Sequence, residues 1–240
     1  MTMRVAILQF PGSNCDWDAW HAVNDVIGIP AERVWHKDAL PVSAEAVIVP
    51  GGFSFGDYLR CGAIARFSPI MEDLQRFAAN GGPVLGICNG FQILCEAGLL
   101  PGALIRNNCL EFRCLNQCLS VEDSTNLFCR ANLGESIYLP IAHGEGNYRL
   151  DEEPLRELES NGQVLLRYAG DPSRGSGHGN PNGSVNDIAG IRNEIGNVFG
   201  MMPHPERVVE PYHPGLDGIG VLKAFLAPLM ESSPAELASA

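Results

Sequence analysis

The sequence predicts an α/β fold: a mostly parallel central sheet with helices on both faces and a small antiparallel extension. Three observations predict it. Short apolar runs without alternation, "VAIL", "AVIV" and "VLGI", recur along the first half, as strands buried on both faces require. Segments of helical periodicity separate them, so the order reads βαβαβ. Each run ends in Gly- or Pro-rich turn chemistry: "FPGS", "PGGF" and "GICNG".

Taken in order, Arg4 to Phe10 reads as a central strand. Asn14 and Asp16 are start signals for a helix reaching about Ile27. "AERVWH" reads as the second strand and "AEAVIVPGG" as the third. Ser68 to Ala79 has helical periodicity, with Pro69 in the first turn, where it is tolerated. "GGPVLGIC" is the fourth strand, and Asn89 to Ala97 a helix stopped by Gly98. From Leu104 to Ala142 the pattern changes to shorter strands with polar turns, the expected antiparallel extension. "PLRELESNG" reads as a short helix and "QVLLRYAG" as a strand. Asp171 to Asn186 is rich in Gly, Asn, Ser and Pro and reads as a surface loop. "IAGIRN" and "NVFGMM" continue the sheet, Val221 to Met230 closes as a helix, and residues 231–240 are expected to fray. With no repeat and no linker, one domain over residues 1–240 is expected.

Composition excludes several function classes. Of 240 residues, 45% are hydrophobic and 18% charged, enough for a sizeable core. The formal net charge is −12 and there is no Lys/Arg run, so no basic face exists to displace counterions from nucleic acid. The two lysines, Lys37 and Lys223, follow no glycine-rich loop, so a P-loop is absent. No apolar run approaches the ~18 residues of a membrane span, and the N-terminal apolar stretch is too short for a signal peptide. A cytosolic setting is expected, with the eight cysteines as reduced thiols. Cys109, Cys114, Cys118 and Cys129 form no CxxC pair and have no histidine among them. They read as half-buried strand thiols, and no metal site is expected.

Cys88 stands apart. Gly86-x-Cys88-x-Gly90 joins a strand to a helix in the form of a nucleophile elbow, the thiol counterpart of Gly-x-Ser-x-Gly. In so tight a turn, side chains two before and two after the nucleophile would clash with neighbouring elements. The helix N-terminus favours a negative thiolate there. Taken alone, the pattern equally describes an inert cysteine packed beside its helix.

A catalytic thiol needs a base. Among six histidines, His204 is flanked by Pro203 and Pro205 and follows a buried strand, which places it at the same C-terminal edge of the sheet. Glu206 lies two residues on. Extended geometry between the prolines would point both side chains the same way, so that the carboxylate orients one ring nitrogen. Seen alone, His-Pro-Glu also suits a solvated turn. Gly51-Gly52 ends the neighbouring strand, and the N–H groups of Gly52 and Asn89 are candidate oxyanion donors. A plain tight turn is the competing reading of that glycine pair.

"GICNGFQIL" with "PHPER" resembles the triad-type (class I) glutamine amidotransferases. Within that family, "ILQFPGSNCDWD", "VPGGFSFGDYLRCGAIA", "IAHGEGNY" and "NPNGSVNDIAGIRNE" make the chain similar to the glutaminase subunits of phosphoribosylformylglycinamidine synthase, from Arg4 to about Leu229. The resemblance implies a flavodoxin-like three-layer α/β/α sandwich. It implies that Cys88 attacks the side-chain amide of L-glutamine to form a glutamyl thioester, with His204 as base and Glu206 as its orienter. Gly51, Gln92, His143, Gly144 and Glu145 match positions that line the glutamine pocket. The implied partners are an ATP-dependent synthetase subunit, which takes the ammonia and uses ATP and Mg, and a small accessory subunit. The chain itself is expected to carry no cofactor. "DPSRGSGHG", the Cys109–Cys129 region and "EPYHPGLDG" depart from the family pattern. Competing readings are the glutaminase subunit of another amidotransferase, a cysteine hydrolase on a related sheet, and a non-catalytic regulatory subunit on the same fold.

Overall fold

In the computed structural model, residues 4–122, 133–171 and 179–231 are described. The terminal tail from residue 232, Cys129 and residues 172–178 of the Gly/Asn-rich loop lie outside them.

Eleven strands are present among the described residues. β1 (Val5–Gln9), β2 (Ala31–Trp35), β3 (Ala46–Val49), β4 (Val84–Ile87) and β11 (Val198–Met201) are mutually parallel. β10 (Ile188–Arg192), β9 (Val164–Ala169), β6 (Arg113–Val121) and β7 (Ser136–His143) continue the same sheet antiparallel. The order across it is β2-β1-β3-β4-β11-β10-β9-β6-β7, and β5 (Ala103–Ile105) pairs with β8 (Asn147–Arg149) separately. Every residue of β3, β4 and β11 is buried, which is why their sequences lack alternation.

Helix α1 (Asp16–His21) packs on β1 and β2, and α3 (Asn89–Glu96) on β3, β4 and β11. α2 (Ile70–Ala79) buries Ile70, Met71, Leu74 and Ala78, a single helical face. α4 (Glu152–Ser160) buries Leu155 and Leu158, and α5 (Asp217–Glu231) packs beside β7. No helix among the described residues is long and apolar enough to cross a membrane.

Some expectations are corrected. The extension is built from the two longest described strands, β6 with nine residues and β7 with eight, and not from shorter ones. β7 stands at the sheet edge and alternates buried with part-exposed residues, and β6 beside it is buried only over Gln117–Leu119, so neither runs apolar as a fully buried strand would. The first helix changes to π-winding over Ala22–Ile27 before Gly28 ends it with φ +84°. The last helix begins at Asp217, four residues before its apolar run, and the Asp217 carboxylate takes the Tyr138 N–H at 2.7 Å.

The chain leaves β1 towards β2 and returns across it to β3, so the strand order reverses between β1 and β3. The crevice outside the C-terminal ends of such strands is where open α/β sheets bind ligands.

Candidate active site

Cys88 sits between β4 and α3 with φ +51° and ψ −105°, a backbone region that costs a non-glycine residue ~1–3 kcal/mol. The turn can be this tight because its glycines are bare. A Cβ at Gly90 would lie 1.8 Å from the Val49 carbonyl oxygen, and one at Gly86 would lie 2.6 Å from Leu94 Cδ1 and 2.8 Å from Gly90. The crossing of α3 over β3 therefore dictates the Gly-x-Cys-x-Gly spacing. The Cys88 N–H donates to the Met201 carbonyl at 2.7 Å, which joins the end of β4 to the end of β11. The thiol lies 3.8 Å from the Ala142 carbonyl, at the end of β7.

β11 delivers His204 to the same edge. The ring is buried, and Nδ1 meets Glu206 Oε1 at 2.6 Å. Extended geometry is not what brings them together. His204 is extended (φ −105°, ψ +90°), but Pro205–Arg207 forms a 3-10 turn that folds the carboxylate back onto the ring. Proline fixes φ near the helical value as readily as the extended one, so it permits either geometry. Nε2, buried and without a hydrogen-bond partner, is the nitrogen left for proton transfer. Burial opposes charge on the ring, but the Glu206 carboxylate and the Cys88 and Cys15 sulfurs outweigh it and raise the His204 pKa well above its ordinary value.

Gly51 makes room for that ring: a Cβ there would lie 2.8 Å from His204 Cε1. Gly52 adopts φ +138°, closed to other residues, and its Cβ would meet the Asn14 nitrogen at 2.8 Å. The Gly52 and Asn89 N–H groups have no hydrogen-bond acceptor among the described residues. Both are therefore available as oxyanion donors.

The remaining expected residues converge on one cleft beside the thiol. It is lined by Gly52, Cys88, Gln92, His143, Gly144 and Glu145. Gln92 is tied at both ends, its Oε1 accepting from Asn89 Nδ2 at 2.9 Å and its Nε2 donating to the Glu145 carbonyl at 2.6 Å. Phe53, Phe112, Asp57 and Cys61 also line the cleft and were not singled out by the sequence. Asp57 pKa is raised, chiefly by burial and also by the Glu145 charge. "GGFSFGDYLR" offered a signal for it, an acid next to two positive-φ turns at Phe55 and Gly56, but no spacing rule connects that acid to Cys88.

Cys15, the N-cap residue of α1, lies between the two helix-start signals Asn14 and Asp16 and was given no role of its own. Its Sγ lies within 4.8 Å of the ligating atoms of His204 and Glu206 and accepts from Arg207 Nη2 at 3.0 Å. Burial raises its pKa, as it raises that of Cys95, which packs inside α3. Cys118 is buried on β6, Cys114 exposed and Cys109 intermediate.

His143 is neutral at physiological pH. Burial, and secondarily the charge of His204, pushes its pKa from 6.5 down to about 4. Above pH 6.5 the ring is neutral folded and unfolded. Below it the unfolded chain takes up a proton that the folded chain refuses until about pH 4, so stability is lost across that window. At pH 5 the loss is about 2 kcal/mol. His143→Gln is expected to reduce the drop in urea-unfolding free energy between pH 7 and pH 5 by about that amount. Equal drops in the two proteins would overturn the assignment.

Comparison with known proteins agrees with this geometry. The CobB/CobQ-like glutamine amidotransferase domain matches residues 2–215. The chain is 53% identical over 227 residues to the phosphoribosylformylglycinamidine synthase subunit PurQ of Salinibacter ruber, covering 94% of this chain and 97% of that one. It is 54% identical over 225 residues to the protein of the same name from Trichormus variabilis, covering 93% and 97%. A chain in the structure of PurLQS from Thermotoga maritima superimposes with a TM-score of 0.83 at 43% identity, covering 95% of this chain and 100% of that one. A second Thermotoga maritima structure, a glutamine amidotransferase, shares the fold at 14% identity with a TM-score of 0.55.

Proposed function

The chain belongs to the CobB/CobQ-like glutamine amidotransferase family, and from that premise we propose that it is the glutaminase subunit of a phosphoribosylformylglycinamidine synthase. It hydrolyses L-glutamine and passes the ammonia to an ATP-dependent synthetase subunit, which converts formylglycinamide ribonucleotide to the amidine in purine biosynthesis. The observation that carries the reading is the convergence of a strained Cys88, a buried His204–Glu206 pair and two unpaired N–H donors at one sheet edge.

The chemistry follows from that geometry. The Cys88 proton passes to His204 Nε2, where the Glu206 carboxylate favours it, and the sulfur attacks the side-chain amide carbon of glutamine. The carbonyl oxygen becomes an oxyanion held by the Gly52 and Asn89 N–H groups, each worth roughly 3–4 kcal/mol. Collapse of the adduct expels ammonia, which takes the proton from His204 and leaves a glutamyl thioester. Water, deprotonated by His204, then attacks the thioester carbon, and glutamate leaves as the thiol is restored. Glu206 holds Nδ1 throughout and stabilises the charged ring.

The α-end of the substrate lies further along the cleft. The Gly144 and Glu145 N–H groups, which donate to no acceptor among the described residues, face the α-carboxylate, and the Asp57 and Glu145 side chains take the α-ammonium. Gln92 acts through the Glu145 carbonyl that it holds. The small accessory subunit completes the complex, ATP and magnesium belong to the synthetase, and the assembly works in the cytoplasm.

A glutamine-mimicking diazoketone tests the proposal. Incubated with the chain and its synthetase partner, it is expected to add one label per chain, on the Cys88 sulfur with loss of N2, and to block glutaminase activity. Label at Cys15 or Cys61 instead, or no label in the presence of partner, would overturn it.

A further inference from the structure

The motif "NPNGS" (Asn180–Ser184) has no part in the chemistry described above, yet it is one of the most heavily bonded stretches in the molecule. Asn182 and Ser184 are buried, as is Asn107 on the segment after β5. Together they meet the loop His143–Gly146. The Asn107 amide donates to the His143 carbonyl at 2.9 Å and accepts from the Gly146 N–H at 2.9 Å, and the Asn107 backbone N–H takes the Gly144 carbonyl at 2.9 Å. Asn182 Nδ2 donates to the Gly146 carbonyl at 2.8 Å, and Ser184 Oγ reaches the same oxygen at 3.1 Å. With Gln92 on the Glu145 carbonyl, all four carbonyls of the loop are held from outside it.

The consequence is directional. A loop whose carbonyls are all engaged by Asn107, Asn182, Ser184 and Gln92 has its unpaired donors, the Gly144 and Glu145 N–H groups, left for the cleft. Asn182 Nδ2 also lies 3.4 Å from His143 Nε2 and 3.0 Å from the Tyr168 hydroxyl, so it fixes the His143 ring as well. The turn that presents Asn182 is locked in its turn. Asn180 Oδ1 accepts from the Asn182 and Gly183 N–H groups, and Gly183, at φ +90°, has no room for a Cβ against Asn108.

We propose that Asn182, Ser184 and Asn107 are positioning residues that set the affinity for the amino-acid end of the substrate by holding the His143–Gly146 loop with its N–H groups towards the cleft. The inference rests on the glutaminase reading above. These residues touch neither the thiol nor the base, so their loss acts on substrate binding before it acts on bond breaking.

The test uses the chain assembled with its synthetase partner. Asn182→Ala is expected to raise KM for glutamine about 10-fold or more and to leave kcat within about 3-fold. Ser184→Ala, which removes a single hydroxyl, is expected to raise KM by roughly 3-fold and serves if Asn182→Ala does not fold. The Gly146 amide, which donates to Asn107 Oδ1, should exchange hydrogen faster in both variants. Product formation from ammonium salts bypasses the cleft and controls for folding and docking. A lowered kcat with unchanged KM, or unchanged KM in both variants, would mean a merely structural role and would overturn the proposal. A wild-type complex without glutaminase activity would instead overturn the functional reading on which it rests.

Discussion

Cys88→Ala is expected to lower glutamine-driven product formation by the assembled synthase roughly 10⁴-fold or more, with ammonium-driven formation within about twofold of wild type. The size of the first effect follows from covalent catalysis. Without the sulfur there is no thioester, and the oxyanion donors and cleft alone supply only a small part of the acceleration. The small size of the second follows from packing. Cys88 is 5% exposed, and alanine keeps its Cβ while removing one sulfur atom next to the Ala142 carbonyl. Alanine also inherits the positive φ at no greater cost than cysteine. Parallel assays of the purified complex with glutamine and with ammonium chloride measure both. Loss of both activities would mean that Cys88 serves the fold or the docking, and the nucleophile assignment would fail.

Gly90→Ala is expected to destabilise the chain by more than about 4 kcal/mol, or to prevent folding. The added Cβ would sit 1.8 Å from the Val49 carbonyl oxygen and 2.6 Å from its carbonyl carbon. Both atoms belong to the backbone of β3, a fully buried strand between β1 and β4, so neither can swing aside as a side-chain tip could. Relief requires α3 to lift from the sheet, which uncovers Phe91, Ile93 and Leu94, all buried. Gly28→Ala is the control. Unlike Gly90 it has positive φ, but its Cβ would meet nothing within 4 Å, so only the backbone cost of about 1 kcal/mol applies. Urea unfolding and soluble yield of the two variants compare them. Similar stability for both would remove the steric account of the second glycine in the elbow.

Much of this protein was legible in its residues. Unbroken apolar runs between helical periods identified the parallel core, because a strand covered on both faces has no solvent side on which to place polar residues. The elbow was legible because its glycines answer a local steric demand that only their spacing can meet. The edge hairpin β6–β7 was less so. Half-exposed strands take mixed residues, and their length reflects a partner strand that a linear reading does not show.

What the sequence by itself determined is the set of local geometries: which segments become buried strands, where the tight turns fall, and which side chains stand at strand ends. What only the tertiary structure decided is which strand ends are neighbours. Cys88 and His204 meet because β4 and β11 pair in parallel, and the Cys88 N–H bonds the carbonyl of Met201. Cys15, Asp57 and Asn182 reach the same edge along β1, the loop after β3 and the turn before β10. The physical reason is that strand order is a property of long-range burial and twist, summed over the whole sheet. A side chain's type is written at its own position, but its neighbours across the sheet are set by every strand at once.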